Sequence, residues 1–301
     1  MAGSGERAVR ELVVISGKGG TGKTSVTASF AVLAGRAVVA DCDVDAADLH
    51  LVLSPEVRER HEFWSGREAR IRAADCTGCG LCQPPCRFGA IQPADGVYRV
   101  DPVACEGCGV CVQVCPHGAI DFPERRCGEW MVSDTRVGPM VHARLGVAAE
   151  NSGKLVSTVR QEARRIAAAD GYPWVLVDGP PGIGCPVIAS LTGAARVLVV
   201  TEPTVSGEHD LQRVLSLARH FDIPAAVCVN KWDINPDMTA RIEAAAGQAG
   251  ARAIGRIRYD SAVTRAQLAA RVVVEIGGPA AEDIRTIWTL LMEKETYGSI
   301  G

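Results

Sequence analysis

Residues 12 to 33 constrain the fold more than any other stretch. The apolar run Leu12-Val13-Val14-Ile15 leads into Ser16-Gly17-Lys18-Gly19-Gly20-Thr21-Gly22-Lys23-Thr24, followed by Ser25-Val26-Thr27-Ala28-Ser29-Phe30-Ala31-Val32-Leu33. That order reads as a buried strand, a glycine-rich loop and a helix. Gly17, Gly22, Lys23 and Thr24 satisfy the phosphate-binding loop pattern in the context the pattern requires. Gly19, Gly20, Thr21 and Ser25 fill out a loop whose backbone N–H groups curl around an anion, with a helix N-terminus behind them. Lys23 is expected to reach the β/γ-phosphates and the Thr24 hydroxyl to bind Mg²⁺. A glycine-rich turn without a ligand is the plain alternative.

Bulk properties narrow the class. The 301 residues allow two domains, and 47% apolar content is enough for a substantial core. A net charge of −3 gives no basic signature for nucleic acid. No apolar run approaches the roughly 18 to 20 residues of a membrane span. Residues Met1 to Arg7 lack the pattern of a secretory signal, so a cytoplasmic chain is expected. Eight of the twelve cysteines fall between Cys76 and Cys115; in a cytoplasmic chain this clustering points to metal rather than disulfides.

The cysteines form a duplication. Cys76, Cys79, Cys82 and Cys86 follow C-x₂-C-x₂-C-x₃-C, and Cys105, Cys108, Cys111 and Cys115 repeat it 29 residues later. The tails match too, Phe88-Gly89-Ala90-Ile91 against His117-Gly118-Ala119-Ile120. This is the spacing of two-cluster bacterial ferredoxins, in which the fourth cysteine of each run ligates the other cluster. The expected ligand sets are therefore Cys76, Cys79, Cys82 and Cys115 for one 4Fe–4S cluster, and Cys105, Cys108, Cys111 and Cys86 for the other. Gly78, Gly80, Gly107 and Gly109 let backbone N–H groups approach the sulfides. Structural zinc is the alternative, but it favours separated cysteine pairs. The first run departs from the pattern by having Arg87, not proline, after its last cysteine. Asp95-Gly96 reads as a turn before the strand Val97–Val100. His117 reads either as a cluster-tuning residue or as an ordinary partly exposed histidine.

The rest of the chain alternates strands and helices. Arg36–Ala40 reads as a strand that ends at Asp41-Cys42-Asp43-Val44-Asp45. Asp48–Leu53 reads as a short helix, and residues 56–72 as a charged, irregular connection. Cys127–Leu145 is strand-like. A helix follows, running to about Ala169. Trp174–Val177 is an apolar strand ending at Asp178 and a tight turn, Gly179-Pro180-Pro181-Gly182. Arg196–Thr201 and Ala225–Val229 are further strands, the first followed by a helix over Gly207–His220. The last helix, Asp283–Lys294, places Ile284, Ile287, Trp288 and Leu291 on one face; its acidic polar face favours packing on the sheet over a membrane surface.

With Lys18 directly after its first glycine, the loop resembles the deviant loop of the MinD, Mrp, ParA and nitrogenase-iron-protein superfamily. The resemblance extends to Asp41-x-Asp43 and to the strand ending at Asp178. It implies a mostly parallel, doubly wound α/β sheet of the P-loop NTPase kind, over residues 1–66 and 125–301. A small α+β ferredoxin-like domain would be inserted at 67–124. It implies that Lys18 contacts phosphate across an ATP-sandwiched dimer and that Asp43 orients or deprotonates the attacking water. Asp41 is then a second-shell Mg²⁺ group, Asp178 holds Mg²⁺ through water, and Gly182 offers an N–H to the γ-phosphate. Asn230 reads adenine, with Pro203 a second candidate. Helix capping is the alternative for Asp43, and more so for Asp45. Residues 150–155 are similar to a segment of MinD-like ATPases that carry a ferredoxin. Cys185 reads as a small buried hydrophobe, or as a cluster ligand like the second-switch cysteine of the nitrogenase iron protein.

The function implied is ATP binding and hydrolysis, with ATP, Mg²⁺ and two 4Fe–4S clusters as cofactors, coupling nucleotide-dependent dimerisation to electron transfer. The alternative is an iron–sulfur or metallocluster assembly or carrier ATPase. The implied partners are a second copy or a paralogous ATPase, and a redox or metallocluster protein; neither nucleic acid nor a membrane is expected.

Overall fold

The computed structural model describes residues 9–146 and 151–293. Along the chain come β1 (Arg10–Ser16), α1 (Lys23–Ala34), β2 (Val38–Asp41), α2 (Leu49–Leu53) and β3 (Glu56–Arg67). The cysteine-rich stretch holds β4 (Arg70–Ile71), β5 (Ile91–Ala94), β6 (Val97–Val100), α3 (Val110–Val114) and β7 (Ile120–Asp121). Then follow β8 (Glu124–Thr135), β9 (Gly138–Leu145), α4 (Ser152–Asp170), β10 (Trp174–Pro181), α5 (Cys185–Leu191), β11 (Val197–Thr201) and α6 (Val205–His220). The chain closes with β12 (Ala225–Asn230), α7 (Pro236–Gln248), β13 (Arg252–Ile257), α8 (Ser261–Leu268), α9 (Val273–Ile276) and α10 (Pro279–Met292).

Two compact units result. One comprises residues up to His61, Trp130–Arg144 and Ser152 onward; the other comprises Glu62–Glu129 and Leu145–Asn151. The limits fall inside β3 and β8, not at their ends.

A nine-stranded sheet runs β13-β12-β11-β1-β10-β2-β9-β8-β3. Successive neighbours from β13 to β9 are parallel. The near-continuous apolar sequences of β1, β2, β10, β11 and β12 match burial on both faces, which parallel sheets require. β1 lies between β10 and β11, so the first strand is central and its carboxyl end opens onto a crevice where α/β sheets bind ligands. On α10, Ile284, Ile287 and Leu291 are buried in this core, and the Trp288 ring lies 5.0 Å from Phe30 and 5.7 Å from Trp174. The apolar face of the last helix is thus covered by the protein. That helix begins a turn earlier than expected, at Pro279 behind Gly278; Lys294 and Glu150 lie outside the described residues. Among the described residues no helix is long and apolar enough to cross a membrane.

One expected connection is a strand. Residues 56–72 read as irregular, yet Glu56–Arg67 forms the twelve-residue outermost strand of the large sheet. An edge strand needs no alternation of apolar and polar residues, because most of its side chains meet water. Charges such as Arg58, Glu59 and Glu62 also discourage edge-to-edge aggregation.

The second unit is built from two antiparallel pairs, β4 with β7 and β5 with β6. Asp95 and Gly96 form the turn between β5 and β6, at φ of 54° and 82°. Its core is small: Ala69, Cys82, Ile91, Cys111 and Ile120, with Ile71, Tyr98, Val100 and Phe122 packed against them.

Candidate functional site

The phosphate-binding loop joins β1 to α1 and lines an open hollow with Asp43, Asp48, Leu51 and the α8 residues Thr264, Gln267 and Leu268. The loop is pinned from outside. Gly22 adopts φ of 90°, and a Cβ there would sit 2.3 Å from the Asn230 amide nitrogen, so only glycine fits. Asn230 Nδ2 donates to the Thr21 carbonyl at 2.7 Å.

Parallel register brings the acids together. Asp178 in β10 pairs with Asp41 in β2, and with Val14 on the other side. Lys23 Nζ lies 3.0 Å from Asp178 Oδ2 and 3.6 Å from Asp43 Oδ2. Thr24 Oγ1 donates to Asp178 Oδ2 at 2.8 Å, and Thr27 Oγ1 donates to Asp178 Oδ1 at 2.9 Å. Thr27 was not singled out from sequence; its place one helical turn after Lys23 was the available signal. The Asp43 N–H donates to Asp41 Oδ1 at 3.2 Å, whereas buried Asp41 Oδ2 has no hydrogen-bond partner. The buried Thr21 hydroxyl likewise has none.

The charges are out of balance. Burial pushes the Asp41 carboxyl well above the usual range, and the neighbouring Asp178 adds to this. Burial also raises Asp43, against the pull of Lys23. Burial alone would lower Lys23, but Asp178 and Asp43 outweigh it and hold its ammonium above the ordinary value. Three carboxylates thus crowd one lysine. One of their oxygens, Asp41 Oδ2, has no hydrogen-bond partner, and Asp178 accepts from the Thr24 hydroxyl; such a set of oxygens fits a hard divalent cation. The phosphate cradle fits the anion that such a cation would accompany.

Other expected residues fall elsewhere. Lys18 does not line the hollow. Its Nζ lies 2.5 Å from Glu202 Oε1 and donates to Ser206 Oγ at 3.0 Å, all within its own chain. Asn230 lines an adjoining hollow with Gly20, Ser25, Tyr259 and Gln267, while Pro203 is buried and lines neither. β10 runs on through Pro181 where a tight turn was expected, and the Gly182 N–H donates to the Ser16 carbonyl at 2.9 Å. A role for that amide at a phosphate therefore requires this bond to open. Cys185 is exposed at the start of α5, not buried as a small hydrophobe: it opens its helix, and the apolar face of α5 begins at Val187. Cys228 is fully buried in β12, where burial raises its thiol far above the ordinary value.

The second unit holds the cysteines around two hollows. Cys76, Cys79, Cys82 and Cys115 line the first, with Tyr98, Pro116 and His117. Cys86, Cys105, Cys108 and Cys111 line the second, with Phe88, Val100 and Glu106. Each run of three is therefore completed by the last cysteine of the other. Cys82 and Cys111 are the most buried members, each 8% exposed. Burial raises the Cys82 thiol, and Cys115, Cys76 and Cys79 add to the effect. Gly107 sits at φ of 63° with the Arg67 carbonyl 2.2 Å from where a Cβ would be; Gly78 meets the Gly96 carbonyl in the same way at 2.4 Å. The glycines let the cysteine loops pass against backbone. All twelve cysteines are free, and His117 is exposed.

Among the described residues no group of three or more His, Cys, Asp or Glu side chains converges on a single metal ion. A cubane has a different requirement: its four cysteines bind four separate irons, so the sulfurs stand around the cluster instead of meeting at one point. Four cysteines around a hollow match that donor arrangement.

Residues 12–273 match the CobQ/CobB/MinD/ParA nucleotide binding domain. The chain is 34% identical to the uncharacterized protein MJ0578 of Methanocaldococcus jannaschii, over 75% of this chain and 80% of that one. A second protein of that organism, MJ0579, is 24% identical over 74% and 81%. Among solved structures, the fold is similar to the septum site-determining protein MinD of Pyrococcus horikoshii complexed with Mg-ADP, at a TM-score of 0.57 and 18% identity, over 95% and 96% of the two chains. With a chain of the MinC:MinD cell division protein complex of Aquifex aeolicus the TM-score is 0.58 at 18% identity, over 94% and 96%. The chain belongs to the CobQ/CobB/MinD/ParA nucleotide-binding family.

Proposed function

We propose that the protein is an ATP-hydrolysing iron–sulfur protein in which nucleotide-dependent dimerisation controls electron transfer through two 4Fe–4S clusters. The observation that carries this reading is the crosswise sorting of eight cysteines into two sets of four, in the same chain as a complete phosphate loop.

On the nucleotide side, Lys23 exchanges its Asp178 and Asp43 partners for phosphate oxygens when ATP enters. Thr24 and Asp178, with Asp41 behind them, would hold Mg²⁺, which when bound would supply positive charge to the phosphoryl group. Asp43, released from Lys23, orients the attacking water and accepts its proton. Lys18 of a second copy supplies a further positive charge. Loss of the γ-phosphate frees the segments after Asp43 and Asp178. In chain order, the cysteine-rich unit begins after the first of these segments and ends before the second.

On the cysteine side, the two sets of four thiolates would hold the clusters, and a bound cluster would supply one-electron redox chemistry. Exposure of Cys79 and Cys108, one in each set, favours a second reading. An exposed ligand is a point of attack for an acceptor thiol, as a cluster carrier needs. Transfer of ⁵⁵Fe to an apo-protein in stoichiometric amounts separates the carrier from an electron-transfer protein that keeps its clusters.

Anaerobic reconstitution tests the main reading. The expected result is about eight irons and eight sulfides per chain, with 4Fe–4S spectra and ATP hydrolysis in the same preparation. A chain that binds stoichiometric zinc in place of iron, or that hydrolyses no ATP when fully loaded, contradicts it.

A further inference from the structure

The loop's extra lysine has a built cradle inside its own chain. Lys18 Nζ meets Glu202 Oε1 at 2.5 Å, Ser206 Oγ at 3.0 Å and Thr204 Oγ1 at 3.4 Å. An ammonium has three donors, and three oxygens surround this one. All three acceptors come from one five-residue segment where β11 gives way to α6. The segment is fixed in place: Thr204 caps α6 by accepting from the Gly207 N–H at 2.9 Å, and Thr201 Oγ1 donates to the Gly207 carbonyl at 3.1 Å.

Glu202 does more than receive Lys18. Its other oxygen lies 3.4 Å from Lys231 Nζ, which also donates to the Gly20 carbonyl at 3.3 Å. One carboxylate therefore restrains the phosphate loop at Lys18 and, through Lys231, at Gly20. The side chains of Lys18 and Glu202 are only 30% and 17% exposed, so water and salt screen this pair less than an ordinary surface pair. Glu202 lines neither nucleotide hollow.

We propose that Glu202 is a positioning residue that holds Lys18 within its own subunit and so sets the cost of ATP-dependent dimerisation. The inference rests on the reading of a dimer in which Lys18 crosses to the second copy. The ammonium cannot hold three oxygens of its own chain and a phosphate of its partner's nucleotide at once. Assembly must first empty the cradle. The equilibrium shifts only by the difference between the two sets of contacts, so weakening the inner set favours the dimer.

Glu202→Gln removes the charge and keeps the shape. With a non-hydrolysable ATP analogue, the protein concentration at half-dimerisation, read by analytical ultracentrifugation, should fall about threefold to tenfold. Affinity for a fluorescent ATP analogue, measured on monomer far below that concentration, should stay within about twofold of the wild type. The dimerisation shift should vanish in a Lys18→Ala background, because residues in one network are non-additive. Ser206→Ala, which removes one acceptor and leaves Glu202 intact, should move dimerisation in the same direction by less, and serves if Glu202→Gln fails to fold. Unchanged or weaker dimerisation in both variants overturns the proposal, as does a shift that persists without Lys18. A wild-type chain that stays monomeric with the analogue overturns the dimer reading and this inference together. A wild-type chain that dimerises beside unmoved variants overturns this inference alone.

Discussion

The two units build their sites in opposite ways. The candidate nucleotide site is gathered from distant parts of the chain: Lys23 and Thr24 at the start of α1, Asp41 and Asp43 at and just after the end of β2, and Asp178 in β10, with Asn230 of β12 pinning the loop from outside. The parallel sheet brings these together, and it stands on a large apolar core of its own. The cysteine site is local and duplicated, and two of the five buried residues in its unit's core are themselves cysteines, Cys82 and Cys111. A core that small does not supply much stability alone. On the proposed reading, one unit is complete as a fold before its ligand binds, whereas the other takes its ligand as part of the fold.

The largest expected effect breaks this comparison if it fails. Stripping iron anaerobically with a chelator should abolish most hydrogen-exchange protection in residues 62–129, because metal-binding free energy there is folding free energy. Protection in β1, β10 and β11 should persist. Equal loss in both units, or loss in neither, contradicts the distinction.

Next in size is the chemistry of the sheet unit. Lys23→Ala should lower ATP turnover about a hundredfold or more, since it removes a positioned charge from the phosphoryl group. Iron content should be unchanged. Asp43→Asn should lower turnover comparably but leave ATP-dependent dimerisation intact, as measured by light scattering. If Asp43→Asn instead abolishes nucleotide binding, Asp43 belongs to the fold of the site and not to the attacking water.

The crosswise pairing gives a smaller but sharper effect. Cys115→Ala should disturb the cluster of Cys76, Cys79 and Cys82, and Cys86→Ala that of Cys105, Cys108 and Cys111. Electron paramagnetic resonance on each variant should show one altered and one unaltered signal. The altered signals should be different ones in the two variants. The smallest change is expected from Asn230→Ala. Its amide holds the Thr21 carbonyl, so nucleotide affinity should fall only about tenfold or less, the scale of one hydrogen bond. Isothermal titration with ATP checks it.

Much of both sites was legible because their chemistry demands fixed residue types at fixed spacing. Lys23, Thr24, Asp178 and the eight cysteines are of this kind. What escaped depended on distance or on solvent. The Lys18 cradle joins it to Thr204 and Ser206, 186 and 188 positions away, and nothing local to Lys18 announces either. Thr27 looks like any helix residue until β10 places Asp178 beside it. The edge strand β3 has no apolar face to betray it, whereas Pro186, directly after Cys185, was a local sign that a helix begins there. Gly182 was expected in a tight turn, but β10 runs on through Pro181 and the Gly182 amide is bonded to the Ser16 carbonyl.

The central claim is that nucleotide state at the sheet unit controls the clusters of the cysteine unit. Its most direct test is a redox titration of the reconstituted protein, followed by electron paramagnetic resonance, with a non-hydrolysable ATP analogue and separately with ADP. The same samples should be reduced by dithionite in a stopped-flow experiment. The account predicts that the analogue shifts the midpoint potential of at least one cluster, or changes its reduction rate, relative to ADP, and that Lys23→Ala removes the difference. Identical potentials and rates in both nucleotides, in a protein shown to bind each of them and to carry both clusters, would contradict it.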